Sequence, residues 1–323
     1  MRCSPLLSSA LDRALETTIV GSFTTVGYRA RQAADEWTAI DDLPPLDGKA
    51  VLVTGGSSGI GRATVEGLLR LGAEVHLTSR TKARAEDVAA EMNGLGHRGT
   101  AIGHPLETAD PASIRALADE LAEVELEVVV HNAGALTAEY RTTDDGIEAT
   151  LASHLVGPYL LTMLLRPRLT TGARVLFMSS GGMYTQKLDV DTIEMTAGDY
   201  KGAVAYARAK RGQVELVRHL APLWAPQVIL HAVHPGWVDT PGVDDALPVF
   251  GTVLGPALRR PEEGADTVIW LAATGGDGAK PGRFWLDRRP RGTVYVPGTG
   301  AGDAERRRLV AWLDERIATL TTA

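Results

Sequence analysis

A single cysteine, Cys3, stands in a chain of 323 residues. One thiol supports neither a disulfide framework nor a thiolate metal site, and it fits a reducing intracellular compartment, so a cytoplasmic location is expected. Long apolar runs are missing too. No stretch reaches the roughly 18 apolar residues of a bilayer span, and the N-terminus carries no signal-peptide core, so no spanning membrane segment is expected. Nor is there an excess of positive charge: 33 Lys and Arg against 40 Asp and Glu leave a net −7, with a pI near 5.7. Phosphate-backbone recognition needs clustered cations, which argues against nucleic acid as a partner. The eight histidines show no paired ligand spacing, so no metal is expected. Repeats of solenoid period and low-complexity tracts are likewise missing.

What is present is 44% apolar content, enough to bury one large core, and a chain that divides into residues 1–44 and residues 45–323. In the first part Leu11, Leu15, Ile19, Phe23 and Val26 recur at mostly helical spacing, which predicts a helix with one apolar face, weakened by Gly21 and Gly27. Such a helix packs on the main domain or on a partner subunit; an interfacial membrane helix is the alternative. Leu43-Pro44-Pro45-Leu46-Asp47-Gly48 ends it.

From Lys49 onward strands alternate with helical patterns, which predicts an α/β fold with a doubly wound parallel sheet. Seven strands are expected, at 50–54, 74–78, 99–102, 126–131, 174–179, 228–233 and 283–286. The first runs into Gly55, Ser57, Ser58, Gly59, Ile60, Gly61 and Arg62 before an apolar-periodic helix. Glycine there permits positive φ and close approach of backbone to a pyrophosphate, while the helix N-terminus offers free N–H groups to the anion. A purely structural turn is the competing reading. Arg80 ends the second strand where an NAD site would usually place a carboxylate; its guanidinium suits a 2′-phosphate, with Arg62 flanking, so NADP is expected over NAD. Asn132, Ala133 and Gly134 follow the fourth strand and border the same crevice. The fifth strand ends in Ser179-Ser180, and Tyr206 and Lys210 follow at helical i, i+4 spacing, so an ammonium can lie beside a phenol and favour its ionised form. His131 and His231, within strands, read as core residues. Gly298-Thr299-Gly300-Ala301-Gly302 imitates a second nucleotide turn, but too little chain follows for another βαβ unit.

The order Thr-Gly-x-x-x-Gly-x-Gly, Asn-Ala-Gly, Ser, Tyr-x-x-x-Lys, Pro-Gly resembles the short-chain dehydrogenase/reductase family from about Lys49 to Leu271. Ser179 to Met183, Gln186 to Leu188, His234 to Val243, Gly264 to Thr267 and Gly282 to Arg288 are similar to the orphan member 12 subfamily and its bacterial relatives. The resemblance implies a Rossmann-like fold in which Tyr206 exchanges the substrate proton, Ser180 hydrogen-bonds the substrate oxygen and Lys210 holds the nicotinamide ribose while lowering the Tyr206 pKa. It implies that Pro235 and Gly236 shape a loop beneath the nicotinamide, with Val238 and Thr240 binding its carboxamide and nearby phosphate, and that the chain forms a homo-oligomer. Two departures stand out. His154 occupies the place of an asparagine that helps hold a relay water; replacement of that role and a packed ring both stay open. Pro105 replaces an acidic residue near the adenine, which leaves neighbouring side chains or the Leu106 backbone to contact the base.

The long connections after Ser180 and after Pro235-Gly236 carry Met183, Tyr184, Trp237, Leu247, Val249, Phe250, Val253 and Leu254. They suit a lipophilic carbonyl or alcohol, unless they only cover the sheet. The reading is an NADP-dependent oxidoreductase of small or lipophilic carbonyls and alcohols, with Ser180, Tyr206, Lys210 and His154 at its centre. A cofactor-binding regulatory or scaffolding module with little turnover is the alternative.

Overall fold

The computed structural model describes residues 5–134, 136–239 and 255–321. Strand β1 (Ala50–Val53) is buried along its whole length. Successive side chains of a strand point to opposite faces. Ala50 and Leu52 accordingly enter one apolar layer and Val51 and Val53 the other, which is why a continuous apolar run is needed there.

Among the described residues the sheet has eight strands in the order β3-β2-β1-β4-β5-β6-β7-β8. They are β2 (Glu74–Ser79), β3 (Thr100–Pro105), β4 (Leu126–His131), β5 (Leu169–Met178), β6 (Val228–Val233), β7 (Phe284–Leu286) and β8 (Arg289–Arg291). All pairings are parallel except β7 with β8. Helices α4 (Gly59–Arg70), α5 (Lys82–Gly94) and α10 (Pro261–Thr274) cover one face. Helices α6 (Pro111–Glu120), α8 (Gly157–Leu165), α9 (Gly202–Trp224) and α11 (Asp303–Thr321) cover the other. This is the Rossmann-like α/β fold, with its topological switch between β1 and β4.

Seven strands fall where the apolar patterning predicts them. The eighth departs from the expectation: Asp287 and Arg288 adopt φ of +56° and +52°, which turns the chain back on itself and adds Arg289-Pro290-Arg291 as an antiparallel edge. Three residues containing a proline give no alternating pattern to read, and an edge strand is where proline is tolerated.

The N-terminal part is three helices rather than one: α1 (Pro5–Glu16), α2 (Ile19–Phe23) and α3 (Thr25–Ala34). A Cβ on Gly27 would lie 2.3 Å from the Gly21 carbonyl oxygen and 2.6 Å from that of Ser22. The glycine therefore lets α3 cross α2 backbone to backbone, and the expected apolar face is divided: Phe23 is buried while Leu11 and Val26 are exposed. Among the described residues no helix is long and apolar enough to cross a membrane.

Candidate active site

The carboxyl ends of β1, β4, β5 and β6 meet along one edge, and the sequence-predicted residues gather there. Gly55 and Gly59 take φ of +66° and +51°, and a Cβ on Gly61 would lie 2.1 Å from the Gly55 carbonyl oxygen. The turn therefore requires glycine. Ser58 precedes α4 in an extended conformation and makes no side-chain capping bond, so the first N–H groups of the helix keep their affinity for an anion. Asn132 braces the turn: its Nδ2 donates to the Thr54 and Gly55 carbonyls at 3.1 and 3.3 Å. The N–H groups of Asn132 and Ala133 donate to Thr54 Oγ1, both at 3.0 Å. These features fit a dinucleotide pyrophosphate.

At the β2 end Arg80 is exposed. Arg62 forms a two-bonded ion pair with Glu91, at 2.8 and 2.6 Å. Arg84, which the motif reading did not single out, donates to the Ser57 carbonyl at 3.4 Å. The Leu106 N–H is already taken by the Ser79 carbonyl at 2.7 Å, so that donor is not available to an adenine.

Ser180 follows β5 and accepts a hydrogen bond from the Gly182 N–H at 3.2 Å. Tyr206 and Lys210 stand on α9, with the Lys210 Nζ 5.4 Å from the Tyr206 ring centre and donating to the Met178 carbonyl at 2.6 Å. Burial pushes the Lys210 pKa down to about 7. Burial also raises that of the Tyr206 phenol, and its hydrogen bond with Ser180 draws it partly back. In the protein by itself desolvation thus sets the direction, opposite to the lowering expected from Lys210. The His154 ring stands perpendicular to that of Tyr206 with centres 5.1 Å apart and also covers Gly134, where a Cβ would lie 2.0 Å from His154 Cε1. Ser180, Tyr206, Lys210 and His154 are therefore brought together.

On β6, His131's counterpart His231 is buried, as is His131 on β4. After β6, Gly236 has φ of +84° and its N–H donates to His234 Nδ1 at 3.2 Å. Val238 pairs with Arg259 in an isolated parallel bridge. Thr240, Leu247, Val249, Phe250, Val253 and Leu254 lie outside the described residues. Met183 and Tyr184 are buried in the core, and the Tyr184 hydroxyl donates to the Gly292 carbonyl at 2.8 Å. Both cover the sheet rather than line a pocket, whereas Trp237 is only partly buried.

The sequence of residues 49–247 matches the family model of short chain dehydrogenases. The chain is 35% identical over 305 residues to human "Dehydrogenase/reductase SDR family member 12", covering 92% of this chain and 94% of the other. It is 33% identical over 265 residues to mouse "Retinol dehydrogenase 14", covering 75% and 78%. A solved short chain dehydrogenase from Burkholderia cenocepacia J2315, in complex with NADP, superposes with a TM-score of 0.61 at 28% identity, covering 74% of this chain and 96% of that one.

Proposed function

This chain belongs to the short-chain dehydrogenase/reductase family and is an NAD(P)-dependent oxidoreductase, and from that premise we propose that it prefers NADP and acts on a lipophilic carbonyl or alcohol. The observation that carries the reading is the meeting of Ser180, Tyr206 and Lys210 beside a glycine turn shaped for a pyrophosphate. Gly55, Ser57, Ser58, Gly59, Ile60 and Gly61 would hold the pyrophosphate, and Arg80 with Arg62 the 2′-phosphate. Gly134, Pro235, Gly236 and Val238 would border the nicotinamide. A bound nicotinamide supplies or accepts the hydride. Tyr206 gives or takes the proton at the substrate oxygen, Ser180 orients that oxygen, and Lys210 charges when a ribose and a water chain offset its burial. The lipophilic substrate class is supported by the name of the retinol dehydrogenase relative and by Trp237 beside the site. A cytoplasmic location and a homo-oligomer belong to the same reading, checked by fractionation and by sedimentation.

Calorimetry with NADPH and NADH on the unaltered chain and on Arg80→Ala tests it. Selective NADPH binding that Arg80→Ala weakens at least about tenfold is expected, as for loss of a charge-assisted bond. Tyr206→Phe is expected to keep NADPH affinity and to lose about 10²- to 10⁴-fold in kcat on a retinoid or other lipophilic carbonyl. NADPH binding with no turnover of any carbonyl by the unaltered chain would favour the low-turnover module, which the His154 substitution keeps in play.

A further inference from the structure

The segment Ser22-Phe23-Thr24, at the corner between α2 and α3, lies against the two loops that carry the chemistry. The Phe23 ring meets the His234 ring edge-on at 4.4 Å and that of Trp237 at 5.7 Å. A Cβ on Gly181, the residue after Ser180, would lie 3.0 Å from Phe23 Cε2 and 2.8 Å from His234 Nε2. The Phe23 carbonyl accepts from the Trp237 N–H at 2.8 Å. An element distant in sequence from both thus closes the back of the Ser180 turn and the side of the Pro235-Gly236 loop.

Arg259 completes the connection. Its backbone pairs with the same loop, the N–H donating to the Trp237 carbonyl at 2.7 Å and the carbonyl accepting from the Asp239 N–H at 2.9 Å. Its guanidinium is buried and every donor is used. Nε donates to the Phe23 and Thr24 carbonyls at 3.0 and 3.3 Å. Nη1 donates to the Pro235 carbonyl at 3.2 Å and to Asp287 at 2.6 Å. Nη2 donates to the Ser22 carbonyl at 3.1 Å and to Asp287 at 2.9 Å. Arg31 of α3 meets the same carboxylate at 2.6 Å, so the extension supplies a second cation for Asp287 as well as three of the carbonyls that Arg259 engages. A Cβ on Gly236 would lie 2.2 Å from Arg259 Nε, which shows how closely the fork holds the loop. The five donors of a planar fork reach all six of these acceptors, whereas the three donors of a lysine share one nitrogen and must leave some of them unserved.

We propose that the N-terminal extension positions the Pro235–Asp239 loop through Arg259, making Arg259 and Phe23 positioning residues for the nicotinamide half of the cofactor and for the substrate beside Ser180. The proposal rests on the oxidoreductase reading above. It assigns the extension a role inside the active site rather than at a membrane surface. The adenosine 2′-phosphate would bind at the β2 end beside Arg80, and the Pro235–Asp239 loop follows β6, with β1, β4 and β5 lying between the two strands in the sheet, so the two halves of the ligand separate a positioning role from a general structural one.

The test is calorimetry of the full chain, of Arg259→Lys and of Phe23→Ala with two probes, NADPH and adenosine 2′,5′-bisphosphate. Both variants are expected to bind the bisphosphate as the unaltered chain does and NADPH about tenfold more weakly, the range for a lost hydrogen bond to a charged group. Equal losses for both probes, or no loss for either, would overturn the proposal. Should the variants fail to fold, hydrogen exchange on the unaltered chain decides. NADPH is expected to slow exchange at the Trp237 amide and in residues 19–34, and the bisphosphate to leave residues 19–34 unchanged; no NADPH-dependent slowing there rejects the coupling. An unaltered chain that binds neither probe nor NADH would instead bring down the oxidoreductase reading itself.

Discussion

Arg62 and Glu91 face each other in partly open solvent, where an ion pair gains little because water and salt screen it. A 2′-phosphate bound there, as proposed, would bring about two charges and three acceptor oxygens to the same place and could displace the carboxylate. Glu91→Gln is expected to release Arg62 and tighten NADPH binding about threefold, with NADH binding unchanged, in side-by-side titrations at low salt. A tightening shared by both nucleotides would move the effect away from the 2′-phosphate. Arg84, held near Ser57, supplies a third guanidinium at that corner, so Arg80→Ala is expected to weaken selectivity more than Arg84→Ala. On the proposed reading, recognition of the phosphate would be shared between the exposed Arg80 and Arg62, which must first leave its partner.

Between Leu151 and Gly157 the helix widens into a π-helical turn, Ala152–Val156. The residue four beyond His154 is Pro158, which has no N–H to offer the His154 carbonyl. That carbonyl accepts instead from the Gln213 side chain of α9 at 2.6 Å. The sequence thereby ties the histidine-bearing turn to the helix that carries Tyr206 and Lys210. Gln213→Leu is expected to cost about 0.5–1.5 kcal/mol of stability through loss of this hydrogen bond, measured by urea unfolding. Gly134 has φ of +148° beneath the His154 ring, so Gly134→Ala is expected to cost about 1–3 kcal/mol through overpacking. His154→Ala in the same chain should restore part of that loss, and strict additivity of the two changes would deny the contact. At the far end of the same layer the Tyr159 hydroxyl donates to Asp314 of α11 at 2.5 Å, so α11 closes over α8 and α9.

Across the whole molecule, four arginines, Arg31 of the extension, Arg259 ahead of α10, and Arg289 and Arg291 of β8, face the carboxylates of Asp12, Glu16, Asp35 and Asp287. Burial alone would raise the Asp12 pKa, but Arg291 and Arg31 outweigh it and bring it to about 2. Its folded value lies below its unfolded one, so the stability it contributes is present above pH 4 and lost as the pH falls toward 2. Burial likewise depresses the histidines: His131 and His234 to about 3 and His231 to about 4, from 6.5. They stay neutral in the folded state, so stability is lost as the pH falls from about 6.5, where the unfolded imidazoles take up protons, and levels off only when the folded ones do so near 4 and 3. Urea midpoints are expected to rise with pH through 7–8, where the folded chain holds Lys210 partly neutral and the unfolded chain holds it charged, and to fall steadily below pH 6. His131→Gln should flatten that slope, and a slope unchanged by the substitution would assign the acid sensitivity elsewhere.

The sequence by itself determined what local geometry can encode. Seven strands follow from apolar runs suited to two-sided burial, the phosphate turn from Gly55, Gly59 and Gly61, and the neighbourhood of Tyr206 and Lys210 from helical period. Each depends on residues a few positions apart, whose relation is fixed by backbone repeat. Tertiary structure decided the rest. The split of the extension into three helices depends on Gly27 meeting the Gly21 and Ser22 carbonyls, and a count of apolar spacing does not register where two backbones cross. The partners of Arg62, Arg31 and Arg259 lie 29, 256 and 28 residues away in Glu91, Asp287 and Asp287. A scattered arginine and a scattered aspartate look like surface charges in sequence, because only folding determines which pair loses its water and must satisfy each other. The phenol of Tyr206 shows the same division: its place beside Lys210 is written in the helix, while its pKa is set by how deeply the folded chain buries it.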